Sequence, residues 1–122
     1  EHAIQNYQQA LSEGYDAKQC NYMIAESYRR SNRIQEAEPY YKKALDAGLD
    51  VEEAHFFYGY ALKSVGNYEG AIAQFNEYIK NGTNFDYINR AKREVENLKK
   101  LEEIVARPKT YVIDNIEDLN TE

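Results

Sequence analysis

Apolar and polar positions along this chain repeat with two periods at once. Over short stretches the apolar side chains return every three or four residues, which is the spacing of one helix face. Residues 85–105 show this plainly: Ile88, Ala91, Val95, Leu98 and Leu101 share one stripe, with charged residues elsewhere. Over a longer span the chain aligns with itself after a shift of 34 residues. Ala3, Ala37 and Ala71 then superpose, as do Tyr7, Tyr41 and Phe75, and Gly14, Gly48 and Gly82. Ala10 meets Ala44, Ala25 meets Gly59 and Asn32 meets Gly66.

Together the two periods predict helices over 1–13, 17–30, 34–47, 51–64, 68–81 and 85–105. Each unit reads as two amphipathic helices separated by a turn, at Ser31 and Asn32 or at Gly66 and Asn67. Ala25 and Gly59 in first helices, and Ala37 and Ala71 in second helices, are small enough to let paired helices approach closely. Tyr41 and Phe75, one turn further on, fill the space between pairs. Gly14, Gly48 and Gly82 are expected in the left-handed conformation that ends a helix. Asp16 and Asp50 are expected to cap the helices that follow, Asp50 with Glu53 in a capping box. Pro39 removes a backbone donor inside the third helix, so a bend or a later helix start is expected there.

The pattern over about residues 1–105 resembles the tetratricopeptide repeat, whose consensus runs Trp-x2-Leu-Gly-x2-Tyr, then Ala-x3-Phe, then Pro. At those places residues 18–51 hold Asn21, Ile24, Ala25, Tyr28, Ala37, Tyr41 and Leu49. Residues 52–85 hold His55, Tyr58, Gly59, Leu62, Ala71, Phe75 and Thr83. Tryptophan is missing, Leu62 replaces tyrosine, and neither unit ends in proline. The resemblance implies an all-α, right-handed superhelix of antiparallel helix pairs. Residues 1–14 would be the second helix of a repeat that begins upstream, 18–51 and 52–84 full units, 85–106 a capping helix, and 107–122 an extended linker toward a downstream domain.

Composition narrows the function. A formal charge of −6 with acids and bases interspersed argues against nucleic acid or an anionic membrane as partner. No apolar run approaches the length of a membrane span, so direct membrane insertion is not expected. The single cysteine, Cys20, lies one repeat before Ala54 and reads as a small core residue. His2 and His55 lack ligand spacing to one another, and His55 takes the tryptophan position, where packing is its expected role. No phosphate loop, nucleophile elbow or cation-binding loop occurs, so neither enzyme activity, metal nor cofactor is expected.

What remains is a surface for a protein or peptide partner. In tetratricopeptide-repeat proteins the first helix of each pair lines the concave face. That resemblance selects Gln19, Tyr22, Met23, Glu26 and Arg29, then Glu53, Phe56, Phe57, Tyr60 and Lys63, then Tyr87, Arg90 and Glu94. Rigid aromatics mixed with Arg and Lys are the composition of peptide-contact surfaces. The competing reading makes Tyr22, Phe56 and Phe57 core residues, and the chain a spacer that positions another domain. Cytoplasmic chaperone-adaptor members of the family grip a C-terminal carboxylate with Lys and Asn. Here those places hold Tyr22, Glu26 and Tyr60, and a glutamate at the centre would repel a carboxylate.

Pro108 ends the helical period, and the following Thr110–Ile116 reads as an extended segment packed on the solenoid or on a neighbour. Residues 112–122 are similar to the entry into the β-propeller of certain Gram-negative envelope lipoproteins. These place tetratricopeptide repeats before a propeller and an OmpA-like domain, and include PorE-type members of the type IX secretion apparatus. That similarity implies a periplasmic protein anchored in the outer membrane through upstream residues.

Overall fold

The computed structural model describes residues 2–106 as six helices with no strand among them. Glu1 and residues 107–122, including the expected extended tail and its docking, lie outside the described residues. The helices are α1 (His2–Ser12), α2 (Ala17–Arg30), α3 (Ile34–Asp46), α4 (Glu52–Ser64), α5 (Tyr68–Asn81) and α6 (Phe85–Ala106). Their ends fall within one residue of those expected from the periodicity. The described residues are all-α, with helical repeats of the tetratricopeptide kind.

Four of the five connections use one turn. Gly14, Asn32, Gly48 and Gly66 have φ of 89°, 60°, 98° and 85°. In each turn the next residue donates its N–H to a carbonyl five positions back: Tyr15 to Ala10, Arg33 to Tyr28, Leu49 to Ala44 and Asn67 to Leu62, at 2.8–3.1 Å. This is the Schellman arrangement, which satisfies carbonyls left over at a helix end.

The fifth connection corrects an expectation. Gly82 is extended, at φ −73° and ψ 157°, not left-handed. The cause is Tyr78, which stands where the earlier repeats have Ala10 and Ala44. Its ring is 1% exposed, and a Cβ on Gly82 would meet it at 2.5 Å. Gly82 is thus required for space rather than handedness. The Tyr78 hydroxyl accepts from the Asn84 backbone N–H at 3.2 Å, and Asn84 in turn caps α6 through Tyr87 N–H at 3.1 Å.

Capping agrees with expectation at Asp16, which accepts from Lys18 N–H, and fails at Asp50. Helix α4 starts at Glu52 with Val51 as its cap residue and no side-chain capping bond, so the expected box with Glu53 does not form. Glu52 instead reaches Thr83 at 3.0 Å. Pro39 does not delay α3, which begins at Ile34, where Arg33 and Glu36 pair across the first turn.

Each helix packs chiefly on its neighbours in sequence. Ala25, Ala37, Ala44, Ala54, Ala61 and Ala71 are wholly buried and bring the backbones together. Into the remaining space fit Ile24, Tyr41, Phe75, Tyr78 and Leu98, all nearly inaccessible. Cys20 and Ala54 are buried at equivalent places, as expected. His55 is half-buried and pairs with Gln74 of α5 at 2.6 Å, adding a hydrogen bond to its packing role. On α6 the apolar stripe is covered through Leu98, while Leu101 and Ile104 are exposed.

Gly59 sets the distance between α4 and α5. A Cβ there would lie 2.8–3.0 Å from the ring of Phe75, which is fully enclosed and cannot move aside cheaply. Gly59→Ala is therefore expected to destabilise the protein by about 1–2 kcal/mol, although alanine is the better helix former by about 1 kcal/mol. Urea unfolding of the two proteins measures this; an unchanged or raised midpoint would show that the Phe75 contact is not limiting.

Candidate functional site

Helices α2, α4 and α6 meet through their side chains to make one continuous face. The Arg29 guanidinium of α2 lies over the Phe57 ring of α4 at 3.8 Å. Tyr87 of α6 stacks on Phe56 with centroids 4.4 Å apart and meets Phe57 edge-on at 5.9 Å. Lys63 of α4 pairs with Glu94 of α6 at 2.8 Å. The residues expected on a concave surface are therefore brought together, but they do not all reach solvent.

Phe56 and Glu26 are the corrections. Phe56 is 2% exposed, with its ring surrounded by Phe57, Tyr60, Phe75, Tyr78 and Tyr87. It belongs to the core and orients Tyr60 and Tyr87 rather than meeting a ligand. Glu26 is 4% exposed and fully engaged. Arg29 donates to both its oxygens, at 3.0 and 2.6 Å, and the Tyr41 hydroxyl donates to it at 2.5 Å. Arg30 stands 3.6 Å away. A carboxylate so enclosed and matched by two cations does not act as the repulsive centre expected from the sequence.

The remaining residues are distributed as follows. Gln19 and Arg90 are exposed, whereas Tyr22, Met23, Arg29, Glu53, Phe57, Tyr60, Lys63, Tyr87 and Glu94 are partly buried. Tyr60 packs edge-on against Phe56 and Phe75, and with Arg90, Arg93, Glu94 and Asn97 it lines a hollow of about 350 Å³. Arg93 and Asn97 were not singled out by repeat position. Their spacing from Arg90, three and seven residues along one helix, was the available signal.

Electrostatics follow from this packing. Burial pushes Tyr22 up to about 12, with Glu26 and Glu53 adding to the effect. Burial also raises Tyr41, as does its hydrogen bond to Glu26. Tyr60 is raised by burial and by Glu94, against the opposing charges of Arg90 and Arg93. For Glu26, burial alone would raise the carboxyl. Hydrogen bonds from Arg29 and Tyr41 and the charges of both arginines outweigh it, and Glu26 sits below its ordinary value.

Among the described residues, no three His, Cys, Asp or Glu side chains are disposed to hold a metal ion, and no helix is long and apolar enough to cross a membrane.

Comparison with protein families finds the tetratricopeptide repeat in two overlapping matches, over residues 1–48 and 22–84. No curated protein matches the chain.

The Glu26 network has a pH signature. Because folding lowers this carboxyl, its contribution to stability is present above the ordinary glutamate value of 4.5 and is lost as pH falls through the lower folded value. Glu26→Gln is expected to cost about 2 kcal/mol at neutral pH. Urea midpoints of the two proteins should then converge on acidification. A gap that stays constant from neutral to acid pH would contradict the role given to Glu26.

Proposed function

Since the chain belongs to the tetratricopeptide-repeat family, whose members generally mediate protein–protein interaction, we propose that its α2, α4 and α6 face binds an extended segment of a partner protein. One observation carries this reading: Tyr22, Phe57, Tyr60 and Tyr87 are held partly exposed beside Arg29 and Arg90 on adjoining helices. Aromatic rings already fixed by a packed interior offer contact area at little entropic cost. The bidentate bond to Glu26 likewise pre-orients the Arg29 guanidinium over Phe57.

The similarity of residues 112–122 to envelope lipoproteins supports a further proposal, that the partner belongs to a periplasmic secretion or envelope assembly. Recovery of the native full-length protein in the cytosolic fraction alone would remove that setting without touching the binding face.

A photoreactive benzoylphenylalanine at Gln19 or Glu53, in α2 and α4, is expected to cross-link a partner from a lysate of the cells that make the protein. The same group at exposed Lys42 or Asn76, in α3 and α5, is expected to give little. Equal adducts from both pairs would refute the face assignment. Absence of any adduct would favour a scaffold that only spaces other domains.

A further inference from the structure

The hollow beside Tyr60 has a chemistry that peptide binding in general does not require. Of the arginines among the described residues, Arg29 and Arg30 face Glu26 and Arg33 pairs with Glu36. Arg90 and Arg93 have no carboxylate partner among the described residues, and both are exposed. They stand in the same hollow as Asn97, one or two turns apart on α6. Glu94, the acid between them, is paired with Lys63 at 2.8 Å. The hollow thus holds two guanidinium groups that form no ion pair among the described residues and an amide, with an aromatic wall, in a chain whose formal charge is −6.

We propose that this hollow receives an aspartate or glutamate side chain of the bound peptide, so that the face selects acidic segments. The inference rests on the peptide-binding reading above and adds its specificity. Guanidinium forks match a carboxylate in geometry as well as charge. Asn97 supplies a further donor, and the Tyr60 ring offers a surface for the methylene carbons of the incoming side chain. Glu94 repels any anion placed here, and a phosphate dianion about twice as strongly as a carboxylate, so the carboxylate fits better. The interspersed acids of α6, Asp86, Glu96 and Glu102 among them, oppose a nucleic acid or an anionic membrane.

The test is selection of a random dodecapeptide library, displayed on phage through the peptide C-terminus, on the full chain and on Arg90→Ala with Arg93→Ala. Display in that form leaves no free terminal carboxylate, so any enrichment of acids reports side chains. The wild-type protein is expected to enrich Asp or Glu at one position. The double variant should lose that enrichment and bind the selected peptides about tenfold or more weakly, with unchanged helicity by circular dichroism. In the wild type, binding should weaken as salt is raised. Peptides selected without acid enrichment, or enrichment that survives in the double variant, would overturn the carboxylate hollow while leaving the binding face intact. Failure to select any peptide would overturn the binding face and this inference with it. Tighter binding of phosphoserine versions of the selected peptides would overturn the choice of carboxylate over phosphate.

Discussion

Phe56 projects from α4 into a space walled by rings from three helices. Phe57 and Tyr60 flank it on α4, Phe75 and Tyr78 reach it from α5, and Tyr87 stacks on it from α6. Burying such a ring is worth about 2–3 kcal/mol, and each well-oriented aromatic pair adds about 1 kcal/mol. The geometry matters more than the sum. The same rings that enclose Phe56 include Tyr60 and Tyr87, whose outer edges form the exposed surface, so the face inherits its rigidity from the core.

The close approach that makes this possible is set by Gly59 and by the run of buried alanines. These small residues, recurring at one spacing, made helix number, helix ends and pairing legible in the sequence. Two kinds of feature were not legible. The first was the state of individual positions: Tyr78 in place of alanine reshaped the turn at Gly82, and a helix start at Glu52, one residue later than expected, left Asp50 without a capping role. At Gly82 the ring of Tyr78, one turn earlier in the same helix, decides the conformation.

The second was depth. Repeat position put Phe56 and Glu26 on the expected concave surface, and both are buried. Periodicity gives the angle of a residue around its helix and not how far neighbouring helices cover it. The partner of Glu26 across the helix pair, Tyr41, lies 15 positions away in the chain and could not be inferred from spacing within one helix. The Arg90, Arg93 and Asn97 group was accessible to sequence reasoning through helical spacing, but Tyr60 joins it only through the packing of α6 against α4 and α5.

Packing along the chain order has a mechanical meaning as well. With contacts confined mainly to successive helices, stability accumulates as a line of local terms rather than as one global knot of long-range pairings. The line is uneven: the aromatic block joining α4, α5 and α6 is dense, while Ile4 is the one buried side chain among the described residues of α1. Strain on the described helices is therefore passed from neighbour to neighbour, and the aromatic block around Phe56 is where it meets the densest packing.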